Sequence, residues 1–472
     1  MQILLFNPPA YKNKPFIREG RCNQECGVWS TLWPPITLAT AGAVLESNGY
    51  IIDILDCSAQ GIKTDELLLT ITKNDYKLIV WTSATPSITS DLKIANKIKY
   101  INPETITATI GTHVTALSEK CLNETIGLDI IIRNEPEYTL LELCSCIKDK
   151  KEINTISGIS FKKSDGSIFH NPNRGFIKEL DNLPFPAWHH LDLSCYKLPL
   201  IGEKFLIISP IRGCPYQCTF CTAQTYYGKK LRKRSPKIVI EEIKYNLNRF
   251  GINHFFIWAD TFTADKEYVS QFCTLLEKNN LEIRWTCNSR VDTVDKNMLK
   301  YMARNGCWMI SYGIESGNQD ILDSVKKSIT LNQVKKAVIN AKLAGIKIAG
   351  HFILGFPDEN EKTIKDTIRF ALSLNLEVTQ FYAAVPFPGS SLYENAIVNG
   401  WIKGQKFEDF SQNNAVMNLP GLPPAKVNHY RRKGNLKLYL NPFRFLKLAN
   451  ALNLKSFNSI FKSALSFIRW IF

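Results

Sequence analysis

The chain has 472 residues, of which 45% are hydrophobic and 21% charged; this excludes a disordered protein and allows two to four domains at roughly 100 to 200 residues each. Thirteen cysteines, no export signal and no apolar run of about 18 residues argue against a disulfide framework or a membrane span and for a cytoplasmic protein. The net charge of +15 is uneven: ten Lys or Arg and no Asp or Glu lie between Lys426 and Phe472, leaving +5 for the other 425 residues.

Residues 1–150 alternate short aliphatic runs (Ile3–Phe6, Ile51–Leu55, Leu78–Trp81, Ile130–Ile132) with helix-like segments near 36–48, 64–73, 90–100, 115–124 and 137–149. Unbroken apolar strands of this kind predict a parallel, doubly wound α/β sheet, whose ligands sit at the carboxyl ends of its strands. Residues 151–200 lose the rhythm around Pro184-Phe185-Pro186 and read as a connector, in which His189 and His190, next to Asp192, could be a ligand pair but in such a segment are more often surface or interdomain hydrogen-bonders. Residues 201–400 resume it with six strand-like runs near 205–209, 254–258, 283–287, 309–314, 346–354 and 379–385, helices following the first five; this predicts a partial (β/α)6 TIM-like barrel. Residues 401–472 form an extension with a helical tail. Lys455, Lys462 and Arg469 recur every seven residues, opposite Phe457, Phe461, Leu465 and Ile468. Such a basic amphipathic helix suits an anionic membrane surface, or the barrel against which its apolar face could dock. No nucleic-acid-binding module accompanies the charge, and no nucleic-acid partner is expected.

The strongest chemical signal follows the first run of the second series: Cys214, Cys218 and Cys221 in Arg212-Gly213-Cys214-Pro215-Tyr216-Gln217-Cys218-Thr219-Phe220-Cys221. Thiolates are the usual ligands of iron–sulfur clusters, and a four-iron cluster held by three of them keeps one iron open to another ligand. A structural zinc ion would want a fourth Cys or His at short spacing, and none follows before Cys273.

The three-cysteine loop resembles that of the radical S-adenosylmethionine superfamily. The resemblance implies a [4Fe-4S] cluster whose open iron binds the amino and carboxylate groups of S-adenosylmethionine, reduced by a donor such as flavodoxin or ferredoxin. It places Phe220 beside the adenine, Asp260 at the methionine amino end, Asn288, Arg290 and Glu315 at the ribose or carboxylate, and Gly350, His351 and Val385 around the adenine. Arg290 could grip a carboxylate in forked geometry.

The first 150 residues resemble cobalamin-binding domains. Asp56-Cys57-Ser58-Ala59-Gln60-Gly61 has the Asp-x-His-x-x-Gly spacing of their loop, with Ser58 where the axial histidine stands. Asn7, Pro8, Asp56, Cys57, Ser58, Gly61, Ser83, Thr85, Gly111, His113 and Glu135 fall on loops that would meet cobalamin. Serine is a poor cobalt ligand, so the lower face of the cobalt would carry no histidine from the protein. The combined resemblance implies a cobalamin-dependent enzyme in which one S-adenosylmethionine methylates cobalamin and another yields the 5'-deoxyadenosyl radical. The expected reaction is methylation of an unactivated carbon of a small molecule or lipid. A cyclisation or rearrangement with the same cofactors is the alternative, and a cobalamin or cluster sensor the non-enzymatic one.

Overall fold

The computed structural model describes residues 1–439 except 13, 21, 27–31, 164, 199 and 200, so the basic helix expected over 455–472 lies outside the described residues. The first half contains β1 (Gln2–Asn7), β2 (Phe16–Glu19), β3 (Cys22–Glu25), β4 (Ile51–Asp56), β5 (Tyr76–Thr82), β6 (Ile106–Ile110), β7 (Ile130–Ile132), β8 (Ile159–Lys162) and β9 (Ile168–His170). Seven of these form one sheet in the order β4-β1-β5-β6-β7-β8-β9, parallel from β4 to β7. Ile3, Leu4, Leu5 and Phe6 in central β1 are all fully buried because helices cover both faces, whereas the outermost parallel strand β4 alternates exposed and buried residues.

The sheet continues past Lys150. β8 and β9 add an antiparallel edge from within the stretch read as a connector. Arg133, at the end of β7, holds that edge with hydrogen bonds to the Ile159 and Asn171 carbonyls and the Ser160 hydroxyl. The strand-poor appearance of β6 has a similar local cause: the buried hydroxyls of Thr107 and Thr109 donate to the carbonyls of Gly127 and Trp81, so a polar alternation lies inside the sheet without leaving unmet hydrogen bonds.

In the second half β10 (Leu206–Ile208) is followed by the short antiparallel pair β11 (Ile211–Arg212) and β12 (Arg232–Lys233), then by β13 (His254–Ile257), β14 (Arg284–Ser289), β15 (Cys307–Glu315), β16 (Lys347–Leu354) and β17 (Val378–Ala383). The order β10-β13-β14-β15-β16-β17 is sequential and parallel throughout, an open six-unit barrel. Its crossover helices start where side chains cap them. Asp265 accepts from the Tyr268 N–H, Asp295 from Asn297 and Met298, and Asn360 from Lys362 and Thr363. After the barrel, helix Pro424–Tyr439 lies on β17, with Gly434 against Phe381. No helix among the described residues is long and apolar enough to cross a membrane.

One apolar core runs through both halves, and the β2–β3 hairpin is wedged into the joint. Gly20 turns it at φ +50°, and a Cβ there would sit 2.9 Å from the Trp258 ring; the Thr112 hydroxyl donates to the Gly20 carbonyl. Arg18 forks onto buried Asp91 at 2.9 and 3.1 Å. Neighbouring Glu19 accepts from the Thr37 hydroxyl at 2.7 Å, but no cation pairs with it among the described residues, and burial pushes its pKa up to about 8. The folded protein therefore holds a proton that an unfolded Glu19 releases above about pH 4.5, so this group's contribution to stability falls as pH rises through about 8. Glu19→Gln is expected to flatten the fall in thermal midpoint between about pH 5 and pH 8. An unchanged slope in differential scanning calorimetry would refute a protonated Glu19.

Candidate active site at the joint of the two sheets

The loop after β11 carries the three thiols, and glycine sets its path. Gly213 has φ +91°, and a Cβ would lie 2.3 Å from the Lys230 carbonyl oxygen, so only glycine lets this turn lie against the bend that leads into β12. The loop is then pinned from several sides. The Cys214 N–H donates to the Gly228 carbonyl, Thr219 N–H to Val325, and the Gln224 amide to the carbonyl of Tyr216 at 2.7 Å. The Ala223 N–H points to the Cys221 sulfur at 3.5 Å, a donor that favours a thiolate there.

All three cysteines are partly exposed to a cavity of about 250 Å³. The carboxyl ends of the barrel strands bring Asp260, Asn288, Arg290, Glu315, His351 and Val385 to the same cavity, with Phe220 beside them. Gly350 is the exception. It lies mid-strand in β16, does not line the cavity, and a Cβ on it would meet Leu376 at 2.3 Å; the strand needs its small size for packing.

Several of these side chains already have partners. Arg290 makes the expected fork, but with Asp292 two residues on, both contacts being 2.9 Å, and its guanidinium lies 3.6 Å from the centre of the Tyr216 ring. Glu315, at φ +66°, pairs with buried Lys327 at 2.7 Å, in space that Gly313 leaves open. His351 stacks on Tyr382 with ring centres 5.8 Å apart, and Phe220 packs on Phe356 at 5.4 Å.

On the first sheet the expected cobalamin loops all sit at carboxyl ends of strands. Asp56 is fully buried and accepts from Asn7, the Ala59 N–H and the Tyr196 hydroxyl; burial raises its pKa. The Ser58 hydroxyl donates to the Pro8 carbonyl at 2.8 Å. Cys57 is buried, and Gly61 ends the short helix Cys57–Gln60 at φ +70°. Ser83 and Thr109 share a 2.7 Å hydrogen bond, and Thr85 meets His113 at 3.1 Å. Burial holds the His113 pKa down at about 3, and its ring packs edge-on against Phe407 of the extension. Gly111, at φ +135°, is a site where a Cβ would lie 2.4 Å from the Ser83 carbonyl oxygen.

Comparison with known proteins gives two matches in chain order: a B12 binding domain over residues 27–144 and the radical SAM superfamily over residues 208–371. An uncharacterized methyltransferase of Pyrococcus horikoshii is 31% identical over 447 residues, 95% of this chain and 94% of its own length. The chain belongs to the cobalamin-binding radical S-adenosylmethionine family. The anaerobic magnesium-protoporphyrin IX monomethyl ester cyclase of Rubrivivax gelatinosus is 28% identical over 87% of this chain and 76% of its own. In fold, the chain resembles the radical S-adenosylmethionine methyltransferase TsrM from Kitasatospora setae, solved with cobalamin and a [4Fe-4S] cluster bound, with a TM-score of 0.70 and 14% identity over 97% of this chain and 90% of that one.

The donor sets fit the family's cofactors. Three cysteine sulfurs facing one cavity, with an N–H aimed at one of them, suit an iron–sulfur cluster. On the B12 side, Gly111 lets its loop lie directly against the Ser83 carbonyl, so the loops at these strand ends pack closely together, and serine rather than imidazole stands at position 58.

Glu135 has a different setting from the loop residues around it. Its carboxylate accepts from Arg212 at 3.1 Å, from Arg232 at 2.8 Å and from the Ile177 N–H, while Arg212 also reaches Glu137 at 2.6 Å. Both arginines and both glutamates are buried. Here the family's first domain grips the residue two before Cys214. Sequence reasoning also missed Trp33, Tyr216, Lys327, Tyr382 and Gln412 in the cavity wall. Trp33 precedes the first helix and Gln412 follows the barrel, and neither lies in a motif that would have singled it out.

Proposed function

We propose that this protein is a cobalamin-dependent radical S-adenosylmethionine C-methyltransferase that modifies an unactivated carbon of a small molecule and takes its electron from a flavodoxin- or ferredoxin-type donor. The observation that carries the reading is the single cavity at the joint, where the three thiols face Trp33 from the first half and five strand ends of the barrel. When bound, the cluster supplies an electron, S-adenosylmethionine a hydrogen-abstracting radical, and cobalamin a carrier for the methyl group. Cys214, Cys218 and Cys221 are the cluster's holders. Arg290, fixed by Asp292, keeps a cation in the cavity wall without swinging free. Phe220, Val385 and Phe387 supply an apolar side that limits water around reactive species. Tyr382 and His351 offer hydroxyl and imidazole groups for orienting a polar substrate.

The test is anaerobic incubation of cluster- and cobalamin-loaded protein with methyl-deuterated S-adenosylmethionine, reductant and a small-molecule extract of the host. The expected result is 5'-deoxyadenosine, S-adenosylhomocysteine and a metabolite carrying the deuterated methyl group. An unlabelled product of unchanged carbon count would favour cyclisation, the reaction named for the Rubrivivax relative; no 5'-deoxyadenosine at all would favour a sensor. Contact with an anionic membrane belongs to this proposal on the charge pattern of the tail alone, and equal liposome flotation of full-length and tail-deleted protein would remove it.

A further inference from the structure

Away from the cavity, His189 and His190 stand side by side on a short 3-10 turn, Trp188–His190, facing Glu46 in the last turn of helix Ile36–Ser47. Their Nε2 atoms lie 3.0 and 3.3 Å from the same Glu46 oxygen, and the two rings are 4.4 Å apart at 40°. The ligand atoms of all three residues fall within 4.8 Å of one another.

We propose that Glu46, His189 and His190 form a site for a borderline divalent cation of the zinc, nickel or cobalt class. The spacing is the first argument. Tetrahedral bonds of about 2.0 to 2.1 Å separate neighbouring ligand atoms by about 3.3 Å, close to both observed N···O distances. The second argument is the donor set: two imidazoles and one carboxylate suit these cations, whereas calcium or magnesium would want oxygen alone.

The frame is rigid before any ion arrives. Trp188 is fully buried, the Ala187 N–H donates to the Ala39 carbonyl of the same helix at 2.9 Å, and His190 N–H closes the turn onto Ala187. Both imidazoles are therefore presented by a turn tied to the helix that carries the carboxylate. The three side chains are 22 to 44% exposed, so water can complete the coordination. A cation there would staple the first helix to the segment leading into the barrel, held by none of the cysteine loop's donors.

The experiment uses full-length protein with its cluster in place, so that Cys214, Cys218 and Cys221 are occupied, and titrates Zn²⁺ against a chromophoric chelator. Wild type is expected to hold one Zn²⁺ per chain that His189→Ala/His190→Ala loses, and Glu46→Gln to weaken binding tenfold or more. The thermal midpoint of wild type should rise with Zn²⁺, that of Glu46→Gln should rise less, and that of the double histidine variant should not rise. Equal stoichiometry and affinity in wild type and the double histidine variant would overturn the site. Unchanged affinity in Glu46→Gln would remove the carboxylate from it.

Discussion

Cys218→Ala is expected to abolish 5'-deoxyadenosine formation, down to the level of a protein-free control, and to strip iron and sulfide from anaerobically reconstituted protein. Two thiolates cannot hold three corners of a four-iron cluster, and among the described residues no other Cys or His in the cavity wall stands ready to replace the third except His351, which is stacked on Tyr382. The fold should survive the change, because Cys218 is only partly buried and lies on a loop pinned through backbone and Gln224 contacts rather than through its own sulfur. Circular dichroism and cobalamin binding by the first domain should therefore match wild type. Cys273→Ala is the contrast: that thiol is fully buried in the core, so its loss should lower the thermal midpoint and leave the iron content untouched. Full turnover in the Cys218 variant, or zinc in place of iron in wild type, would refute the assignment.

Most of the architecture could be read from the chain because its signals are local. Aliphatic runs such as Ile3–Phe6 have no polar alternation to confuse them, and helix Thr64–Lys73 falls where the sequence pattern set it. The six barrel strands came through for the same reason. What escaped depended on distant partners. β6 reads Ile-Thr-Ala-Thr-Ile, and only the carbonyls of Trp81 and Gly127 make its threonines acceptable inside the sheet. β8 and β9 are four and three residues long, and they join the sheet through a buried arginine that no periodicity announces. The site divides along the same line. Spacing marked the cysteines and strand-end motifs, but the internal fork of Arg290 with Asp292 and the embedding of Glu135 among arginines appear only when the chain is folded.

That embedding leads to the second large effect. Arg212→Met is expected to destabilise the protein by about 3 to 5 kcal/mol and to lower its iron content sharply. Arg212 is the only cation bonded to Glu137 among the described residues, and the second Glu137 oxygen has no hydrogen-bond partner, so removing the guanidinium leaves a buried carboxylate uncompensated. Glu135 suffers less because Arg232 still holds it. Arg212→Lys should fall between, since one ammonium cannot span two carboxylates as the guanidinium does. The double variant Arg212→Met/Glu137→Gln separates stability from positioning. It removes the stranded charge and should recover most of the thermal midpoint. Its iron content should stay low, because the residue two before Cys214 is no longer anchored to the first domain. Recovery of both together would reduce Arg212 to a stabilising residue. In that case Gly213 and the Cys214–Gly228 hydrogen bond suffice to set the loop.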